Sequence, residues 1–477
     1  PLVNTIVAGG AASAVVLTAG GDATADRLVI SNLRLTGSSN GVLIDSAISY
    51  ITLDDVAFAG FNYGLEIHNN ANITDLRITG SLFNGCTTGI RKSTSGRIDG
   101  LYIENSAFNG GIHGINVAQG NGTSPLAFNN VTVSSCTFEG ISSKGIYAEA
   151  LSNALLENNR FTSCGTNGAW AAGIDINLKY GAYQNIDILN SEFANCGTGD
   201  AVNGAGLTVK ARDDGSYAGN PATLTDVLLS GLTVTGSPDG IRLGETAKNN
   251  AGPTEVQITN CSLGGNLLSG LRNETLASVD ADNNWWGSAT GPANATNPGG
   301  TGAAVAGNVD FSPWLSSSAE DPSTGSTIGF QPAADAGVFY LPASLAFTQQ
   351  PGGAALGAAL NPQPTVTVYD EIGQIATQFV GTVSIAIKTN PGSGTLEGPT
   401  TVNATAGVAE FAGLSIGTDG GTNFTLLATA SPLSVESAAF TIANPQPALS
   451  SMDPIFKPVN SAAFTLTVTG TGFVPST

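Results

Sequence analysis

Through most of the first three hundred or so residues of this 477-residue chain one phrase recurs: an aliphatic residue, a Phe five positions later, then a Gly followed by a second aliphatic residue. Ile78, Phe83, Gly89 and Ile90 make one copy, and Ile103, Phe108, Gly114 and Ile115 the next. The register extends both ways through Ile30/Leu35/Gly41, Leu53/Phe58/Gly64, Val133/Phe138/Gly145, Leu156/Phe161/Gly173, Ile188/Phe193/Gly206, Leu229/Val234/Gly240 and Ile258/Leu263/Gly270. In most copies the period is roughly 23–34 residues. The aliphatic-to-aromatic step is constant, while the step to Gly lengthens substantially only at Gly173 and Gly206, so insertions fall at one corner. Short alternating strands, Gly at corners and no helical period describe a stacked coil of parallel strands.

Two residues after the first aliphatic of each copy stand Asn32, Asp55, Gly80, Asn105, Ser135, Asn158, Asn190, Gly231 and Asn260. Nearly all are types that tolerate the left-handed backbone of a tight corner. Asn side chains stacked there are expected to hydrogen-bond along the coil axis, and the Gly before the second strand to supply another left-handed corner. Inside, Phe58, Phe83, Phe108, Phe138, Phe161 and Phe193 should stack at about the 4.8 Å strand spacing.

This spacing resembles the right-handed parallel β-helix of the pectin-lyase superfamily, over most of Arg27–Leu315. The runs NNWWGSATGP (Asn283–Pro292) and NVDFSPWL (Asn308–Leu315) resemble the end of β-helix regions in large bacterial surface proteins. The resemblance implies an all-β chain with a β-helix of about ten coils. It leaves activity open, because that superfamily holds lyases, hydrolases, adhesins and phage spikes.

The organisation read from the sequence is a β-helix over 1–315, a polar Ser/Pro/Gly linker over 316–340, an Ig-like sandwich over 341–445 and a partial IPT/TIG-like segment over 446–477. The last two resemble modules of bacterial surface proteins. Residues 1–26 read as an incomplete first coil without a cap, and the start at Pro1 reads as a processed or partial product. Trp285 and Trp286 should plug the end of the stack. The five Cys fall at repeat positions where in-register neighbours point the same way, so they are expected as buried free thiols.

A formal charge of −20 argues against nucleic acid and anionic membranes as partners. Divalent cations or neutral surfaces are easier. No run approaches the roughly 18 apolar residues of a membrane span.

Any chemistry belongs on the outward face of the strand after the repeat Gly, where the resemblance places the superfamily's sites. Alternation puts Glu66, His68, Arg91, Asn116, Tyr147, Glu149, Asp175, Asn177, Thr208, Lys210, Arg242, Arg272 and Glu274 outward. Two readings follow. In the first, the chain is an extracellular or cell-surface protein of structural or adhesive function, its charges merely solvate a rod, and it needs no metal or cofactor. In the second it is a polysaccharide lyase or glycoside hydrolase acting on an acidic polysaccharide. Glu149 and Asp175 would then hold Ca²⁺ against a uronate, and Lys210 or Arg242 would take the α-proton. Tyr147, Asn177 and Arg212 are the carbohydrate-binding candidates, with the loop carrying Arg212, Asp213 and Asp214 as a groove wall. His113, at the corner before its strand, is expected to be solvent-exposed.

The segment Ser461–Val474 alternates as a strand that lacks the partners of its fold. Phe464, Leu466 and Val468 are therefore assembly candidates, through which one molecule would complete a sheet of another and build a homo-oligomer or filament by strand addition.

Overall fold

The computed structural model describes residues 4–7, 13–325 and 327–473. Through most of the repeat region a coil contributes a long strand, a three-residue strand and a third strand of five to seven residues. In one coil these are Arg97–Glu104, Ala107–Asn109 and His113–Val117. Each pairs in parallel with its counterpart in the next coil, matching Leu101 to Val131, Phe108 to Phe138 and Ile115 to Ile146. The first two strand types join in one 18-stranded sheet, and the third forms an 11-stranded sheet, among the described residues. This is the architecture expected from the repeat. No helix among the described residues is long and apolar enough to cross a membrane.

The six Phe form one buried file, with successive ring centroids 4.6–4.8 Å apart and planes within 6° of parallel. The corner residues also behave as read: φ is 45–54° at Asn32, Asp55, Asn105, Ser135, Asn158, Asn190 and Asn260. Side-chain hydrogen bonding along the axis, however, falls at several coils to the residue after the corner. Ser81 Oγ accepts from Val56 N, Ser106 Oγ from Ser81 N, Asn159 Oδ1 from Cys136 N and Ser191 Oγ from Asn159 N. The corner side chain points out, whereas its successor turns into the interior, where an unmet backbone N–H would be costly.

The repeat Gly does something different from what was expected. Gly89 and its equivalents do not adopt positive φ. A Cβ on Gly89 would stand 2.6 Å from the Gly114 carbonyl oxygen and 2.7 Å from Phe108 Cδ1. The residue is Gly because the next coil's ring and backbone take the space.

All five Cys are free and buried. The thiols of Cys136, Cys164, Cys196 and Cys261 donate to carbonyls, as Cys164 does to Phe138 O at 3.3 Å and Cys196 to Phe161 O at 3.4 Å. Burial pushes the Cys136 thiol up to about 12. At the far end Trp286 is fully buried, and Trp285 packs on a small cluster of Leu315, Phe330 and Ala336. Part of the stretch 316–340, expected as a linker, lies across the coils: Phe330 N donates to Gly231 O at 3.0 Å, and Gln331 Nε2 to Asn190 Oδ1 at 2.9 Å.

A second unit comprises Ala295–Gly299 and the chain from Tyr340 on. Its antiparallel sheet of Pro342–Gln349, Thr365–Asp370 and Val408–Glu410 shares one core with a sheet built on Thr382–Thr389 and Gly421–Ala430. Leu345, Val366 and Val368 of the first meet Val383, Phe424 and Leu426 of the second in that core. After it, Ala448–Asp453 pairs with Thr467–Thr471 as an antiparallel ribbon. On and beside this ribbon the assembly candidates Phe464, Leu466 and Val468 are exposed, and Lys457 Nζ lies 5.3 Å over the Phe464 ring.

Candidate functional site

The outward row of the 11-stranded sheet runs in register through Glu66, Arg91, Asn116, Tyr147, Asp175, Thr208, Arg242 and Arg272. Strict alternation puts them there, because the inward neighbours Ile90, Ile115, Ile146, Ile174 and Leu207 are held by the core. The row divides in two. Arg91, Asn116 and Tyr147 are half-buried and reach solvent, whereas Asp175, Thr208 and Arg242 are closed over.

Asp175 is the centre of the closed half. It accepts from Lys210 Nζ at 2.8 Å and Thr208 Oγ1 at 2.7 Å, and Lys144 Nζ stands 3.7 Å away. Burial pushes its carboxyl up, yet Lys210 and Lys144 outweigh this and hold it below the usual carboxylate value. Burial draws Lys210 down, and Asp175 recovers only part of that shift. Trp170, delivered by the insertion after Cys164, covers the pair of cations. Its ring lies 5.5 Å from Lys210 Nζ and 4.8 Å from the Arg242 guanidinium. Arg242 donates through Nη1 to Asn203 O, while its Nε and Nη2 meet no acceptor among the described residues.

Glu149 belongs to a different network. Tyr147 Oη donates to its Oε1 at 2.8 Å, Gln119 N to its Oε2 at 2.9 Å, and Lys179 pairs with it. The expected pairing of Glu149 with Asp175 around Ca²⁺ is therefore not formed. The strand partner of Asp175 is Tyr147, which leaves Glu149 two residues farther along its strand. Among the described residues no three His, Cys, Asp or Glu side chains converge as a metal site would require. Asp175, Lys210 and Arg242 gather under Trp170, whereas Glu149 lies in the other network, so the four catalytic candidates do not share one centre.

Of the carbohydrate candidates, Tyr147 remains half-buried at the surface of the row. Asn177 is buried and donates to Tyr147 Oη at 3.0 Å. Arg212 is spent on Asp214 at 2.8 Å and Glu245 at 2.7 Å, with its guanidinium 4.7 Å from the Tyr217 ring centre, so the loop is tied down by its own charges.

The structure revises His113 and adds Lys144 and Lys92, which the sequence did not mark. His113 is half-buried, with its ring 6.1 Å from that of Tyr147. Burial and the Lys144 cation draw its imidazole down to about 4, which corrects the expectation of an exposed ring. Lys144 Nζ also lies 5.2 Å from the centre of the Tyr147 ring. Lys92 points inward, one position beyond outward Arg91, and donates to Ser93 O at 3.2 Å and Ala118 O at 3.0 Å. Burial draws its amine down to about 8.

The first unit is a right-handed parallel β-helix. The family model described as right handed beta helix region matches residues 13–171 and 63–213, and no curated protein matches the chain. Among solved structures, the PL6 family alginate lyase AlyGC is similar at 11% identity and a TM-score of 0.34, over 74% of this chain and 58% of the lyase. Tailspike protein 3 of bacteriophage CBA120 gives 12% and 0.36, over 78% of this chain and 59% of the tailspike. A tailspike protein mutant of the E. coli bacteriophage HK620 gives 11% and 0.34, over 87% and 76%. The chain thus spans less than two thirds of the lyase and of the first tailspike. Likenesses this distant say nothing of activity.

Proposed function

We infer that this chain is a glycan-binding protein of the cell exterior, whose β-helix holds an acidic polysaccharide along the outer face of its 11-stranded sheet. The observation that carries this is the solvent-reaching row Arg91, Asn116 and Tyr147, with Lys144 and His113 beside it. Its rungs are one strand apart, about 4.8 Å, which matches the scale of a sugar ring. It offers an aromatic face, an amide and the Arg91 guanidinium, 3.8 Å from Glu66, at the surface, with the largely buried Lys144 beside them. Although the chain is strongly acidic, Arg91, Lys144, Lys179, Lys210, Arg212, Arg242 and Arg272 all lie on this sheet or immediately after its strands. Tyr147 is held through its hydroxyl by Glu149 and Asn177, and Lys144 by Asp175, as preorganised binding requires.

A second reading, cleavage by β-elimination at the same row, is favoured by one observation. His113 and Lys144 are paired in the strand register, and an imidazole next to a charge-neutralising cation is the kind of pairing that reaction uses.

One experiment addresses both. Labelled hexasaccharides of mannuronate, guluronate and galacturonate are titrated into the full chain and into R91A and Y147A. Binding of an acidic hexasaccharide, weakened about tenfold by each substitution, is expected, equivalent to about 1.4 kcal/mol. No binding to any of them, or no effect of either substitution, would overturn the reading. Unsaturated sugar ends appearing in the mixture would establish the second reading.

A further inference from the structure

The long strands bend at a file of left-handed residues that lies away from the sheet just described. Seven of its members are Asp75, Gly100, Asn130, Asn153, Asn185, Asp226 and Glu255, all with positive φ. The bend requires only a residue that can adopt this backbone, and Tyr50, Gly, Asp and Glu serve in other coils. Asn occupies it in three consecutive coils, where the surface is also hollowed. A groove of about 250 Å³ opens there, bordered by Asn130, Asn153 and Asn185. Its floor is the in-register outward row Tyr102, Thr132, Leu155 and Asp187. The row spans three strand spacings, about 14 Å.

The amides are joined in one direction. Asn185 Nδ2 donates to Asn153 Oδ1 at 3.2 Å, Asn153 Nδ2 to Asn129 Oδ1 at 2.8 Å and Asn129 Nδ2 to Asp99 Oδ1 at 3.1 Å. Asn130 Nδ2 reaches the same Asp99 oxygen at 2.6 Å. Such a chain is polarised towards the carboxylate and keeps each amide plane oriented along the groove. Leu155 and Tyr102 are half-buried and present apolar surface between the amides. No Lys or Arg lines the groove, and Arg77, 5.2 Å from the centre of the Tyr102 ring, is engaged with Asp75 at 3.0 Å.

We propose that this groove is a second glycan site, specific for an uncharged oligosaccharide of three to four rings. Amides in fixed orientation exchange hydrogen bonds with hydroxyls as both donors and acceptors. The Leu155 and Tyr102 surfaces take the C–H faces of the rings. Asp99 and Asp187, with no free cation beside them, disfavour a uronate. The site is thus complementary to the cationic row on the other sheet and independent of it.

The test is titration of the full chain with xylohexaose, cellohexaose and mannohexaose, followed by calorimetry and by competition with excess polymannuronate. At least one neutral hexasaccharide is expected to bind, and N153G, which keeps the left-handed backbone but removes the amide, should weaken it at least tenfold. L155R, which places a cation and bulk in the floor without touching the core, should do the same, with both variants keeping the wild-type circular dichroism spectrum. Polymannuronate should not displace the bound sugar. Failure of all three probes to bind, wild-type affinity in either variant, or displacement by polymannuronate would each overturn the assignment.

Discussion

Phe108 lies directly against Gly89 of the preceding coil, its Cδ1 2.7 Å from where a Gly89 Cβ would stand. The aromatic file and the Gly file are one device. Each ring needs a hollow in the coil beneath it, and only a missing side chain provides that hollow. Substitution of either partner should therefore destabilise, but by opposite means. G89A overpacks and is expected to cost about 1–3 kcal/mol. F108A leaves a cavity and is expected to cost about 3–5 kcal/mol. Denaturant unfolding measures both, and a neutral G89A would show that the hollow has slack.

The Asp175–Lys210 pair should prove structural. Removing one member of a buried, hydrogen-bonded ion pair leaves an uncompensated charge, so D175N is expected to cost about 3–5 kcal/mol. The double substitution D175N/K210M should recover much of that loss. If D175N were to leave the melting temperature unchanged, the pair would not be holding this face together.

Lys92 should make stability depend on alkaline pH. Its amine is drawn down to about 8 in the folded chain, against 10.5 ordinarily, so between these values the unfolded chain binds more protons. Stability then rises with pH across roughly 8 to 10.5, by about 3 kcal/mol in total. K92M should flatten this rise, as urea midpoints measured across the window would show.

His113 acts in the acid range. Its folded value of about 4 lies below the ordinary 6.5, so the unfolded chain again binds the extra proton. Stability is fully present above about 6.5 and is lost as pH falls towards 4. H113N should remove that slope. The same slope in H113N and wild type would place the acid sensitivity in carboxylates instead.

The coil was legible in the sequence because Phe58 to Phe193 and Asn32 to Asn260 recur at fixed offsets, and a fixed offset in a stacked coil is a fixed direction. What Gly89 does was not legible, since a sequence shows that a Gly is present but not whether dihedral or space demands it. Alternation correctly placed Arg91, Asn116, Tyr147 and Asp175 on one row. It could not show which would be closed over, because Trp170 comes from an insertion that has no register of its own. Lys144 was missed, and His113 was read as an exposed corner residue, because each stands just before the repeat Gly. Lys92 follows the inward alternation and was passed over because a charged residue there contradicts the usual core.

The return of residues 327–331 across the coils changes what kind of object the β-helix is. In a stack where each coil touches only its neighbours, coils can fray one after another from an end. Here Gln331 holds Asn190, and Phe330 holds Gly231, across a sequence separation of 141 residues in the first case. The segment works as a splint: the last coils cannot peel away while it is fastened, and once it lifts, several lose support together. Mechanical pulling from the C-terminal side should accordingly meet one large rupture before any sequence of small ones.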